Sequence, residues 1–261
     1  MRNNFFSLRT KILFLLSLLF CIASVVTAET PSSTKKIRIA LYLDKGAHPR
    51  THLIDALETA PDMTLTVMTG EELREGRLNH IDLLIVPGGS SIKESSSMEA
   101  EGRQEVRTFV SKGGLYMGIC AGCYLLTEAK PSDLGLLPLN TLDKKHWRRG
   151  KGMLSVELTA MGMEVFGTTQ KTLEILYHNG PVIDAAHVTP EVSFTPLGYF
   201  RSELVEKEGT KGIMKDSPAM FYGKFGKGLV LGISPHPEAH KNQVDMELNA
   251  IRWLYTHHSS K

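Results

Sequence analysis

"GGLYMGICAGCYLL", residues 113–126, is the stretch on which the reading of this chain turns. Two glycines lead into an apolar run that ends at Cys120, and Gly122 and Cys123 follow at once. Cys120 has three readings. It is a nucleophile at a tight strand-to-helix turn, one half of a Cys-x-x-Cys redox pair with Cys123, or a buried core residue. The flanking glycines favour the first. Gly118-Ile119-Cys120-Ala121-Gly122 fits the nucleophile elbow, where glycines flank the reactive residue because the turn leaves no room for side chains. Such a sulfur faces the first free N–H groups of a helix, a setting in which thiols react as thiolates. Cys123 then falls on the first helical turn, where a small core residue is the plainer expectation.

The segments on either side of the elbow read as alternating strands and helices. "KIRIALYL" (36–43), "MTLTVMT" (63–69), "HIDLLIVPGG" (80–89) and "LYMGIC" (115–120) are apolar runs without helical period, as strands buried on both faces require. "PRTHLIDALETA" fits a helix opening near Pro49, and residues 97–114 fit another that ends on Gly113-Gly114. "AGCYLLTEA" opens a third, directly after the elbow. This alternation predicts an α/β fold, a doubly wound and mostly parallel sheet covered on both faces. The second half differs: residues 152–167, 171–183, 187–200 and 218–235 are strand-like runs between Gly, Pro and Asn turns. They predict a β-rich insertion, with "GKFGKG" as a hairpin. "QVDMELNAIRWLYTHH" closes the pattern as an amphipathic helix with Met246, Ala250, Trp253 and Leu254 on one stripe.

A nucleophile needs a base and an anion-stabilising site. "ISPHPEAH" follows the last expected strand, so His236 lies at a C-terminal strand end, the edge where ligands collect in open α/β sheets. Glu238, two residues on, would hold the imidazole tautomer and complete a Cys120-His236-Glu238 triad. His240 does not make a zinc motif of "HPEAH", because Pro237 breaks the helix such a motif needs; no metal is expected. "VPGGSS" ends the third strand at the same edge. The N–H groups of Gly89 and Ala121 would be the oxyanion donors there, with the Gly88-Gly89 backbone approaching substrate closely.

The first residues read as a leader. Arg2, Arg9 and Lys11 precede a fifteen-residue apolar stretch, Ile12–Val26, and small residues follow to Ala28. That is the pattern of a secretory signal peptide cut after Ala28, too short for the ~20 residues of a membrane span. Phe20 before Cys21 argues against a lipoprotein signal. The 30 basic and 28 acidic residues of the whole chain become 27 and 28 once the leader's three cations are removed. A mature protein near neutrality offers no nucleic-acid surface and no broad attraction to membranes. Residues 29–35 read as a polar tether and 36–258 as one domain, periplasmic or secreted. Cys120 and Cys123 are the only cysteines after the leader, and a bond between them would close too small a loop to serve as a staple.

Together "VPGG", "GGLYMGICAGCYLL", "YHNGP" and "GLVLGISPHPE" resemble the class I glutamine amidotransferase-like superfamily, and within it the branch of the N-terminal domain of biotin–protein ligases. The resemblance implies a flavodoxin-like sheet, Cys120 as nucleophile, His236 and Glu238 as its partners, and Gly88 and Gly89 on the oxyanion side. "YHNGP" matches a Tyr-x-Asn-Gly segment of that branch and so implies Tyr177 and Asn179 at the pocket. Biotin ligation itself is not expected: the chain ends after the amidotransferase-like portion, and "RRGKG" at 148–152 reads as a basic turn. The leading expectation is an exported thiol hydrolase or amidase acting on a small-molecule or peptide amide, without cofactor. The alternatives are a non-catalytic binding module on the same fold and a Cys120–Cys123 redox couple.

Overall fold

The computed structural model describes residues 35–142, 145, 147–188, 194–204 and 211–259. The expected leader, 1–28, and residues 29–34 of the expected tether lie outside them. Among the described residues no helix is long and apolar enough to cross a membrane.

The strands, in chain order, are β1 (Ile37–Tyr42), β2 (Met63–Met68), β3 (Leu83–Val86), β4 (Leu115–Ile119), β5 (Asn140–Thr141), β6 (Lys151–Leu158), β7 (Thr172–His178), β8 (Ile183–Asp184), β9 (Phe194–Phe200), β10 (Pro218–Phe225) and β11 (Gly228–Ile233). Nine of them form one sheet in the order β2-β1-β3-β4-β11-β10-β9-β6-β7. The first five in that order are parallel, and the rest join antiparallel. Every residue of β3, β4 and β11 is buried, which is why these strands read as unbroken apolar runs.

The pleat sends alternate side chains into two cores. Ile39, Leu41, Ile85, Met117, Ile119 and Ile233 pack on one face. Against them lie α1 (Thr51–Thr59), α5 (Ala160–Phe166) and α6 (Asp245–Ser259), through Leu53, Phe166 and Ile251. Ala40, Tyr42, Leu84, Val86 and Tyr116 point the other way. They meet α2 (Gly70–Arg74), α3 (Ser91–Ser111) and α4 (Ala121–Leu125), through Leu73, Val106 and Leu125. Each fully buried Leu or Ile stabilises the fold by about 1.5–3 kcal/mol, so this two-sided burial is its main support.

The sheet order sets the site. β4 lies between β3 and β11, with Gly118 in register with both Val86 and Gly232. The turns after β3, β4 and β11 therefore leave the sheet side by side at one edge, carrying Gly88, Cys120 and His236 with them.

Two expectations change. The run 152–167 is not one strand: β6 stops at Leu158 and α5 begins, because the Thr159 hydroxyl accepts from the Gly162 N–H at 3.0 Å and Gly167 closes the helix at φ 62°. The β-rich second half is present as expected, continuous with the core: β6, β7, β9 and β10 extend the main sheet, and β5 with β8 forms a small ribbon. The helix expected from residue 97 starts at Ser91, with non-helical backbone at Glu99 (φ 58°) marking where its two halves join. The hairpin at "GKFGKG" forms as expected, Phe225 pairing with Gly228 across Gly226-Lys227.

Candidate active site

Cys120 occupies the elbow with φ 49° and ψ −94°, a backbone position that non-glycine residues adopt only under strain, of order 1–3 kcal/mol. Its neighbours explain the glycine pattern. A Cβ on Gly122 would lie 2.0 Å from the Val86 carbonyl oxygen, and one on Gly118 would lie 2.3 Å from that of Gly122. The Cys120 N–H donates to the Ile233 carbonyl at 2.8 Å, the last rung of the β4–β11 ladder. The Tyr116 hydroxyl donates to the Gly122 carbonyl at 2.8 Å and fixes the first turn of α4 from below.

His236 is held from three sides. Its N–H donates to the Leu176 carbonyl at 2.7 Å, tying the β11 end to β7. Nδ1 meets Glu238 Oε1 at 2.7 Å, with both side chains buried. A Cβ placed on Gly88 would touch His236 Cε1 at 2.7 Å and Cys120 Cβ at 3.5 Å. Gly88 therefore gives histidine and cysteine a common floor. Burial works against the imidazolium, but Cys120 and Glu238 outweigh it and raise His236 to about 10. Its Nε2 is buried without a hydrogen-bond partner among the described residues, and the thiol donates at 3.4 Å to the His178 carbonyl.

Behind Glu238 stands a residue the sequence reading missed. Glu247, in the first turn of α6, is completely buried, and neither carboxyl oxygen makes a well-formed hydrogen bond among the described residues. Burial, then the charge of Glu238, drive its carboxyl well above the usual range. In its protonated form Glu247 would be able to donate toward Glu238, whose Oε2 has no hydrogen-bond partner among the described residues.

On the opposite side, Gly89 has φ 155°, and a Cβ there would fall 1.9 Å from the Gly46 carbonyl oxygen. Neither the Gly89 N–H nor the Ala121 N–H donates to an acceptor among the described residues. Glu94 lies beneath this turn, its Oε1 2.8 Å from that same Cβ position. It is fully buried with neither oxygen partnered, and burial raises it to about 9.

Above Cys120 opens a cavity of about 940 Å³ that Gly88, Gly89, Ala121, His236 and Asn179 also line. Asn179 sits at φ 56° and accepts the Gly150 N–H through Oδ1 at 2.8 Å. Tyr177 does not line the cavity. The pleat of β7 turns it into the core, where it donates to the Gly180 carbonyl at 2.7 Å and packs edge-on against Phe200. Its neighbour His178 reaches the cavity wall instead. The guanidinium of Arg149, buried beside Tyr124 and Tyr177, donates to the Leu142 carbonyl at 2.8 Å. Cys123 lies in the α3-side core while Cys120 packs on the other; burial pushes the Cys123 thiol well up. That is packing, not a poised redox thiol. His240 is exposed, and no cluster of three metal-ligating side chains occurs among the described residues.

Comparisons with known proteins agree with this architecture. The family described as "Biotin-protein ligase, N terminal" matches residues 51–130. Subunit PurQ of phosphoribosylformylglycinamidine synthase from Symbiobacterium thermophilum is 28% identical over 64% of this chain and 74% of its own. The biotin–protein ligase of Schizosaccharomyces pombe is 25% identical over 60% of this chain. An uncharacterised protein of Chlamydia muridarum is 32% identical over 33% of it. The chain spans about a quarter of that ligase and about a third of the Chlamydia protein. Among solved structures, PurLQS from Thermotoga maritima superposes with a TM-score of 0.59 at 16% identity, covering 84% of this chain and 99% of the other. A candidate GMP synthase component from Thermoplasma acidophilum gives 0.57 at 16%, covering 86% and 97%. Both share the flavodoxin-like α/β fold.

Proposed function

We propose that this class I glutamine amidotransferase-like protein is an exported cysteine-dependent hydrolase that cleaves the carbon–nitrogen bond of an amide. The observation that carries the reading is the strained Cys120 elbow set against the Glu238-paired His236 over one glycine floor. Sulfur attacks the amide carbon, and the carbonyl electron pair moves to oxygen between the Gly89 and Ala121 N–H groups. His236 holds the thiol proton and passes it to the departing nitrogen, leaving an acyl thioester on Cys120. Water then adds to the thioester, gives a proton to the imidazole, and releases the acid as the thiol re-forms. Glu238 keeps Nδ1 protonated throughout, so that Nε2 faces the chemistry. The match to the N-terminal region of biotin–protein ligases contributes no ligase step.

A panel of amides assayed for amine release provides the test, with intact-mass detection of an acyl adduct. Wild type should turn over at least one amide, and Cys120→Ala or prior alkylation should abolish turnover. Undiminished activity in Cys120→Ala would sink the reading. The thiol's hydrogen bond to the His178 carbonyl favours a second reading, a binding module without turnover. Ligand retention with no acyl adduct, at any pH from 5 to 9, would select it. Export after Ala28 belongs to the same proposal, and N-terminal sequencing of protein recovered outside the cytoplasm checks it.

A further inference from the structure

The walls of the cavity above Cys120 carry one sign of charge. Arg50, Lys130 and Arg148 line it, together with His48 and His178, and no aspartate or glutamate of the described residues does. None of the three long cations forms an ion pair with a described carboxylate. Arg148 and Lys130 instead lie over the faces of Trp147 and Tyr124, at 4.9 and 5.9 Å from the ring centroids. This arrangement holds a cation in place without neutralising it. Two helix N-termini add to the field. The cavity is lined by Arg50 and Thr51 at the start of α1 and by Ser90 and Ser91 at the start of α3, and neither N-cap side chain accepts an N–H of its own helix. At the floor, His236 offers a buried Nε2 with no hydrogen-bond partner among the described residues. The field already registers within the site: burial lowers His178, and His236, Lys151 and Arg50 lower it further.

We infer that the substrate is an anionic amide, larger than a single amino acid and carrying at least one carboxylate beyond the bond that is cleaved. This rests on the hydrolase reading of Cys120 and names its substrate class. Size follows from the volume: about 940 Å³ is at the upper end of ligand pockets, which run to about 1,000 Å³. Carboxylates suit the cations better than a phosphate does. The three come from three separate segments, ahead of α1, after α4 and ahead of β6, and no single backbone nest gathers them. Three spaced cations match charges distributed along a molecule. Trp147 and Ile92, both exposed at the mouth, supply apolar surface for the chain between those charges.

The test compares an N-glutaryl anilide with its N-butyryl counterpart, which differs only in lacking the carboxylate. Kinetics are measured on wild type and on the triple variant Arg50→Gln/Lys130→Gln/Arg148→Gln. Binding of the same two compounds is measured on Cys120→Ala, with and without the triple change. The expected result is a glutaryl preference of roughly tenfold in kcat/KM that weakens with salt and disappears in the triple variant. Equal turnover of the two compounds by wild type overturns the inference and leaves the hydrolase reading standing. If nothing is turned over but Cys120→Ala binds the glutaryl compound preferentially through the three cations, the hydrolase reading falls and the anion selectivity stands as a property of the binding cavity alone. Competition by inorganic phosphate as strong as that by glutarate overturns the carboxylate assignment.

Discussion

Glu94 is the most exacting place to test the physical reading of this structure. It is fully buried beneath the Gly89 turn, with neither carboxyl oxygen partnered, and burial raises it from 4.5 to about 9. Between those values the unfolded chain gives up a proton that the native protein keeps. For an acid whose folded value is raised, the stabilisation is complete below about pH 4.5. It is lost as pH rises, and the loss ends near pH 9. One pH unit corresponds to about 1.4 kcal/mol, so by pH 7.5 the penalty is on the order of 4 kcal/mol. Glu94→Gln keeps the shape and has no proton to lose. Urea unfolding of both proteins at pH 5.5, 6.5 and 7.5, at one ionic strength, isolates this residue, because other titrating groups cancel in the difference. The stability gap in favour of Glu94→Gln should widen by about 1.4 kcal/mol per pH unit. A gap that stays constant across the three pH values would refute the claim that Glu94 is a neutral acid in the folded protein.

Two further substitutions probe the elbow and the support of the histidine. Gly122→Ala should destabilise the fold by about 3 kcal/mol or more, since its Cβ meets the Val86 carbonyl at 2.0 Å. Gly102→Ala on α3, whose Cβ would sit 3.4 Å from Arg74 Cγ, should be neutral or stabilising by about 0.5–1 kcal/mol; equal thermal shifts for the two would contradict the packing argument. Glu247→Leu removes the donor to Glu238 and should lower kcat on the order of tenfold, displacing the alkaline limb of the pH–rate profile. Glu247→Gln still donates and should restore most of kcat; a leucine variant with an unmoved profile would leave Glu247 a packing residue only.

What the sequence made legible follows from how tightly each feature is constrained. β3, β4 and β11 are buried on both faces, so every position had to be apolar or glycine, and the runs stand out unaided. The elbow was legible because sterics at Gly118 and Gly122 admit no side chain. His236 and Glu238 were legible from their place after the last parallel strand. The segment after Leu158 was misread because "TAMGMEVFG" carries no clear period. Its helix rests on one hydroxyl cap at Thr159 and one left-handed glycine at Gly167. Tyr177 was assigned to the pocket by motif, and the pleat of β7 exchanges it for His178. Arg148 was read only as part of a basic turn, and Arg50 and Lys130 were given no role, since loop residues follow no period and only the folded chain gathers them around one cavity.

The two buried acids are a different case, for their trace was present in the sequence. Glu247 stands four residues before Ile251 and seven before Leu254, on the stripe by which α6 packs against the sheet. Glu94 stands four before the buried Met98 in the same way. A glutamate in the apolar stripe of an amphipathic helix is not a surface charge out of place. A carboxylate there would face a desolvation cost of several kcal/mol without a cation to offset it, whereas the protonated acid is a neutral group that can donate. Both such glutamates among the described residues sit behind groups proposed to act, Glu247 behind Glu238 and Glu94 beneath Gly89. An acid at a helix core position is therefore a sequence-level pointer to the second layer of a site. In this chain it would have located both sides of the Cys120 cavity before any strand was placed.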